Sequence, residues 1–345
     1  MNRTYLDMIQ GQEPAYTPVW FMRQAGRSQP KYREIKKTHS LFDITREPEL
    51  CAYVTNLPVE EYGLDAAILY KDIMSPMAAI GVEVKLVPGK GPVFERPIQR
   101  PADLDQIGTF DGSKVSYIAD TIKLLTSKVL DVPLIGFCGG PFTIASYLVE
   151  GGPTKSYNKT RGLMVSQADL WDDLMNRLAD MSIDYLSMQV EAGANALQIF
   201  DSWIGAVSAE QYHAHIFSHM DKIISTMKAK YPHIPLAMNG VGNAHLVEEW
   251  GQLPIDVLAL DWRCPIDRLG QLGIDKVVQG NLDPAFLYAP THVLDKELDA
   301  IIEAGLRHGR HVFNLGHGVF PEADPAKLKY ITEYVHEKSR ALRAK

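Results

Sequence analysis

"PLIGFCGGP", residues 133–141, holds the fold in miniature. Residues 133–138 are an apolar run without polar alternation, as expected of a strand buried on both faces in a parallel sheet. Gly139-Gly140 ends the run, and Pro141 stands where a first helical turn begins. There its fixed φ helps, and its missing N–H costs nothing. The same unit recurs. The other runs are "PVWF" (18–21), "AAILY" (66–70), "ALQIF" (196–200), "PLAMN" (235–239), "VLALD" (257–261), "VVQGN" (277–281) and "HVFNLG" (311–316). Between them lie amphipathic stretches, 166–192, 207–230, 291–304 and 325–342, with apolar positions three and four residues apart. Pro48, Pro284 and Pro325 mark helix starts as Pro141 does.

Eight strands alternating with helices predict an α/β fold, a (β/α)8 TIM barrel, and 345 residues suit one catalytic domain over 1–345. The alternation breaks between the second and third strands. There "VEVKLVPGKGPVFERPI" (82–98) reads as an inserted β-hairpin around Pro-Gly-Lys-Gly. The competing architecture is an open doubly wound sheet. It calls for a glycine-rich phosphate turn after the first strand, and "MRQAGR" (22–27) is not G-x-G-x-x-G.

Composition narrows the function. Apolar content of 46% with 22% charged residues describes an ordinary soluble globule. No apolar run approaches the ~18 residues a membrane span needs. The start "MNRTYLDMIQ" lacks a signal-peptide core, so a cytoplasmic protein is expected. A net charge of −7 speaks against nucleic acid or an anionic membrane as partner. Cys51, Cys138 and Cys264 are widely spaced without a C-x-x-C pair, and read as small buried residues.

In a barrel, the carboxyl ends of the strands line the active site. Taken in turn, those ends supply Arg23, Gln24 and Arg27; Lys71 and Asp72; Gly139-Gly140 with Tyr147 beyond; Asp201 and Ser202; Asn239; Asp261; Asn281 and Asp283; Asn314 and His317. A full set of polar endings reads as a mouth built for a polar ligand. Two arginines four residues apart around a glycine favour anion binding, because guanidinium forks match carboxylates. Each residue also has a bland role open to it. The arginines can pair with surface acids, Asp72 can cap the helix after it, and Lys71 can point away along its strand. Tyr147 can be core, and Ser202 an N-cap. His317, between two glycines, is a poor core residue and reads as functional. The chain contains no H-E-x-x-H, no His/Cys cluster, no P-loop and no G-x-S-x-G elbow, so no metal or cofactor is signalled.

Several segments together resemble the uroporphyrinogen decarboxylase family. They are "PVWFMRQAGR" (18–27), "AAILYKDIMSP" (66–76), "GFCGGPFTIASYLVEGG" (136–152), "QIFDSWIGAVS" (198–208), "VQGNLDP" (278–284) and "FNLGHGVFPEADP" (313–325). The resemblance implies a barrel that converts uroporphyrinogen III to coproporphyrinogen III by removing four acetate carboxyl groups, in haem and related tetrapyrrole synthesis. It implies no metal or organic cofactor, and a homodimer. By the same resemblance, Asp72, Arg23 and Tyr147 are catalytic: Asp72 faces the pyrrole N–H groups, and Arg23 is the family's proposed proton donor. Arg23 and Arg27 bind the substrate, with Gly26 turning the chain between them. Tyr147, Ser202 and His317 contact its carboxylates, and Gln24 and Ala25 add main-chain donors. The chain departs from the family pattern at Ser28, Lys71 and "CGG" (138–140). Three rivals are a zinc methyltransferase, a Schiff-base lyase on Lys71 and a non-catalytic tetrapyrrole-binding protein. The first wants a His-x-Cys arrangement, where this chain has Val319.

Overall fold

Seven parallel strands follow one another around a single sheet in the computed structural model, which describes residues 1–87 and 89–345. They are β1 (Ala67–Ile68), β4 (Leu134–Gly139), β5 (Ala196–Asp201), β6 (Leu236–Gly240), β7 (Val257–Ala259), β8 (Val277–Gln279) and β9 (His311–Val312). The antiparallel hairpin between the second and third barrel strands is present, as β2 (Lys85–Val87) and β3 (Gly91–Val93). Of its expected turn, Pro88 lies outside the described residues.

The eighth barrel position belongs to the run 18–21, although it forms no regular ladder. Val19 bridges Phe313 in parallel, and the Asp65 N–H donates to the Val19 carbonyl, so the run closes the gap between β9 and β1. Its own donors go largely to side chains. Val19 N–H reaches Asp65 Oδ2 (2.8 Å), Phe21 N–H reaches Gln24 Oε1 (3.1 Å) and Met22 N–H reaches Asn314 Oδ1 (3.1 Å). Every buried donor finds a partner without a continuous backbone ladder. A polar file crosses the interior and pins the run: Trp20 donates to Gln279 Oε1 (3.1 Å), and Gln279 donates to Gln198 Oε1 (3.3 Å).

The continuous apolar runs are buried as their sequences predict. Every residue of β4, β5 and β6 is buried. Pro48, Pro141, Pro284 and Pro325 each open a helical segment: Pro48–Tyr62, Pro141–Glu150, the short 3-10 turn Pro284–Tyr288, and Pro325–Arg343. The stretch 166–192 forms the helix Ala168–Glu191. The stretch 207–230 is not continuous. Ile216 leaves helical geometry and divides it into Ala209–His215 and Phe217–Lys230. At the amino ends of the strands, buried Asp65 accepts from His336 Nε2 (2.7 Å) and from Tyr16 and Asn2 (3.1 Å each), tying the last helix to the start of the chain. All three cysteines are buried and unpaired.

Candidate active site

Arg23 follows the closing run with a left-handed backbone, φ 59°. That conformation costs a non-glycine residue about 1–3 kcal/mol and persists only where surrounding structure enforces it. The chain bends at Gly26 as expected, but Gly26 does not carry a positive φ; the left-handed residue of the loop is Arg23. Gly26 is small because a Cβ there would lie 3.3 Å from the Arg23 carbonyl. Arg23 and Arg27 are both exposed, and among the described residues neither guanidinium has a carboxylate partner. Gln24 is a correction. Its side chain is fully buried, with Oε1 accepting from Phe21 N–H and Nε2 donating to the Ala66 carbonyl (3.3 Å). Its own N–H donates to Phe21, and the Gly26 N–H goes to Gln29 Oε1 (3.3 Å). Ala25, by contrast, keeps a main-chain donor without a protein acceptor among the described residues.

Asp72 stands just beyond β1. One oxygen, Oδ1, accepts from Met74 N–H (2.6 Å), so the local turn-capping role is real. The other oxygen has no protein donor among the described residues. Burial raises its pKa, opposed by the Met74 N–H, by Lys71 and by Arg23. Lys71 points away from it. Its Nζ donates to the Phe137 carbonyl and to the Tyr185 hydroxyl (2.6 Å each) and lies about 4 Å from both ring centres, at 4.2 and 4.1 Å. Burial pushes the Lys71 amine well below its ordinary value.

Tyr147, from the helix after β4, stacks on Trp203 with ring centres 4.0 Å apart. Tyr157 meets the same indole edge-on at 5.2 Å. Burial, then the Asp72 charge, pushes the Tyr147 phenol up to about 12, so it remains a hydrogen-bond donor at neutral pH. Ser202 is half-buried beside Trp203, and its hydroxyl has no partner among the described residues. His317 accepts the Gly318 N–H at Nδ1 (2.7 Å). The remaining ring proton therefore sits on Nε2 when the ring is neutral. Burial and then the Arg23 charge lower its pKa, so it acts mainly as a neutral donor.

The two glycines around His317 have separate reasons. A Cβ at Gly318 would lie 2.6 Å from Arg23 Cδ, and one at Gly316 would overlap the Trp262 backbone. The histidine thus sits between the Arg23 loop and the Trp262 loop. The Arg23 charge is felt at Asp72, Tyr147 and His317, and the Asp72 charge at Tyr147, while the Arg27 charge is felt at Tyr32.

Most other polar strand ends belong to the framework. Asp201 is fully buried and accepts both the N–H and hydroxyl of Thr143 (2.9 and 2.5 Å). Burial raises it to about 6. Asp261, also buried, holds Arg263 and the Gly242 N–H. Asn281 donates to the Asp261 and Cys264 carbonyls, Asp283 caps a 3-10 turn, and Asn314 serves Met22. Sequence reasoning missed Trp203, Tyr157, Trp262 and Arg263. An aromatic directly following a polar strand end was the available signal at Trp203 and Trp262. No group of three or more His, Cys, Asp or Glu gathers as a metal set among the described residues.

A closed parallel barrel with a guanidinium, a half-satisfied carboxylate, a phenol and an imidazole toward its carboxyl rim defines the class of (β/α)8 barrels with a polar mouth. Comparison with known proteins narrows that class. The model of the family described as Uroporphyrinogen decarboxylase (URO-D) matches residues 1–338. Uroporphyrinogen decarboxylases from Staphylococcus aureus strains USA300 / TCH1516 and JH9 are each 54% identical over 336 residues, covering 97% of this chain and 97% of theirs. The chain belongs to the uroporphyrinogen decarboxylase family. Solved structures extend the fold relationship. A methyltransferase from Methanosarcina mazei aligns with TM-score 0.77 at 21% identity, over 97% of each chain. A B12-independent methionine synthase from Shewanella sp. W3-18-1 aligns at 0.60 and 14%, over 90% of this chain and 92% of its own. Their similarity is one of fold.

Proposed function

We propose that this chain is a single catalytic unit that removes the four acetate carboxyl groups of uroporphyrinogen III as CO2, yielding coproporphyrinogen III. One observation supports the assignment of roles: Arg23, whose stem packs against Gly318 beside His317, acts at Asp72, Tyr147 and His317 alike. The substrate is a flexible ring of pyrroles bearing eight carboxylates. Arg23 and Arg27 supply charge that burial cannot remove. A net charge of −7 does not oppose this, because a cleft lined by one sign of charge focuses potential locally.

The chemistry needs an electron sink, and the pyrrole provides it. Protonation of a ring carbon gives a cationic, iminium-like ring. The bond between the acetate methylene and its carboxyl carbon then breaks, CO2 departs, and the electron pair neutralises the ring. Protonation of the resulting exocyclic methylene and loss of the ring proton leave a methyl group. Each round consumes one proton and releases one CO2. Asp72, with one oxygen already fixed by Met74, offers the other to the converging pyrrole N–H groups and offsets the developing positive charge. Tyr147 and His317 Nε2 donate hydrogen bonds to peripheral carboxylates, and Ser202 adds a hydroxyl. Arg23 orients the reacting carboxylate. A guanidinium is a very weak acid, so Arg23 is better placed to orient a water that carries the proton than to give up its own.

No helix is long and apolar enough to cross a membrane among the described residues. A cytoplasmic homodimer is the assembly we propose, on the resemblance alone, and sedimentation at micromolar concentration tests it. The activity is tested by anaerobic incubation with freshly reduced uroporphyrinogen III. Chromatography should resolve seven-, six-, five- and four-carboxylate products in sequence. An unchanged eight-carboxylate peak from folded protein would refute the assignment.

A further inference from the structure

The residues placed at the mouth so far come from one side of it. Arg23 follows the closing run, Asp72 follows β1, Tyr147 lies beyond β4, Ser202 follows β5, and His317 follows β9. These are consecutive positions around the ring. β6, β7 and β8 contribute nothing to that set. A macrocycle with carboxylates around its whole edge, seated over Asp72, would leave its far edge facing those strands.

Arg263 stands there. β7 is separated from β1 by β4, β5 and β6 one way, and by β8, β9 and the closing run the other. The loop after β7 is therefore diametrically across the mouth from Asp72. The guanidinium carbon of Arg263 lies 3.7 Å from the centre of the Trp262 ring. Its Nη1 donates to Asp261 Oδ2 at 2.7 Å, and its main-chain N–H donates to Asp261 Oδ1 at 2.8 Å. Asp261 is wholly buried and also takes the Gly242 N–H, so it is a rigid post. The Arg263 side chain nevertheless keeps 50% of its exposure. Among the described residues, its Nε and Nη2 have no protein acceptor. Trp262 in turn packs against Gly316 and faces the His317 ring edge-on at 6.4 Å.

This is a preorganised cation. An exposed arginine ordinarily loses rotamer freedom when it grips an anion, and this one has already been fixed by a ring beneath it and a carboxylate behind it. A pairing role with Asp261 alone would use one fork of the guanidinium and would not require the aromatic plate.

Building on the decarboxylase reading above, we propose that Arg263, seated on Trp262 and held by Asp261, binds a carboxylate on the tetrapyrrole edge opposite Asp72. It is a specificity-determining residue that touches substrate away from the reacting carbon. It shares the substrate's carboxylates with Arg23 and His317 and fixes the ring's position over Asp72.

The test uses the full chain with Arg263→Gln and Arg263→Lys. Steady-state decarboxylation of uroporphyrinogen III is measured alongside fluorescence titration with uroporphyrin and with coproporphyrin, which carry eight and four carboxylates. Loss of a hydrogen bond to a charged group predicts a KM for Arg263→Gln raised about tenfold or more, with kcat within about twofold. Uroporphyrin affinity should fall in parallel, and less steeply at high salt. Arg263→Lys should fall between, since it keeps the charge without the flat fork. Melting of each variant is followed by circular dichroism. If Arg263→Gln does not fold, Arg263→Lys must still weaken uroporphyrin binding. Unchanged KM and porphyrin affinity in a folded variant would overturn the proposal, as would a loss confined to kcat. Absence of turnover in the unaltered protein would refute the decarboxylase reading instead, and the porphyrin titration would still decide whether Arg263 binds the anion.

Discussion

Asp72 and Asp261 both end a barrel strand, and the structure gives them opposite work. Asp261 is completely buried and spends both oxygens on Arg263 and Gly242. Asp72 spends one oxygen on Met74 and lies in the field of Arg23. Asp201 is a third case: it is fully buried, Oδ1 accepts from Thr143, and Oδ2 is buried with no partner among the described residues. A strand end therefore nominates a residue without deciding its role. The decision lies in how many of its polar atoms the protein has already used and in whether the remaining ones are sealed from solvent, as Asp201 Oδ2 is.

The largest test of that distinction is Asp72→Asn. Loss of a preorganised electrostatic group costs ~3–4 kcal/mol in other enzymes, so turnover should fall by about two orders of magnitude with the fold intact. Near-normal turnover would erase the contrast with Asp261. Arg23→Gly comes next. It removes the charge but relieves the left-handed backbone at φ 59°. KM should rise about tenfold, while thermal stability holds or increases by about 1 kcal/mol. A matching loss of stability would make Arg23 a framework residue.

A pH measurement sharpens the pair further. Burial raises Asp72, so the acid limb of kcat/KM should lie above the ordinary carboxylate value of 3.8. The carboxylate form is the active one, and activity therefore falls as pH drops through that raised value. The Lys71 charge opposes the rise. Lys71→Met should move the limb to higher pH if the amine is protonated there, and an unmoved limb would identify a neutral amine.

Asp201→Asn should change turnover least, and its effect falls on stability. Asp201 is raised to about 6 from 3.8, so its folded-state proton is held more tightly than in the unfolded chain. Ionisation above pH 6 thus disfavours the fold, and the penalty fades as pH falls from 6 towards 3.8. Linkage sets the ceiling on the gain at about 3 kcal/mol at pH 8 relative to the original chain, with the gain vanishing near pH 4. Urea unfolding at the two pH values checks it, and an equal effect at both would remove the burial argument.

The barrel was legible because burial on both faces writes an unbroken apolar run, as in Leu134–Gly139. The closing run was legible too, but its irregular pairing was not. Nothing local in "PVWF" announces that the Gln24 amide will fold back on it, or that Asp65 and Asn314, distant along the chain, will take donors from this stretch. The same limit explains Gln24. Its place beside Arg23 suggested a substrate contact, yet its amide faces inward to Phe21 and Ala66. Sequence adjacency gives the loop and not the direction of each side chain. Trp203 and Arg263 were missed for the converse reason, since their value depends on the Tyr147 ring and the Asp261 carboxylate that tertiary structure brings to them.

Gly318 leaves room for the aliphatic stem of Arg23, with no space for even a methyl group between them. The first and last segments of the barrel are consequently geared together at the opening, and neither can drift alone. In natural relatives, a side chain gained at 318 should be accompanied by a shortened or displaced residue at 23. A compilation of such chains would show the two positions changing as a unit, a form of inheritance imposed by contact across the seam where the ring of strands closes.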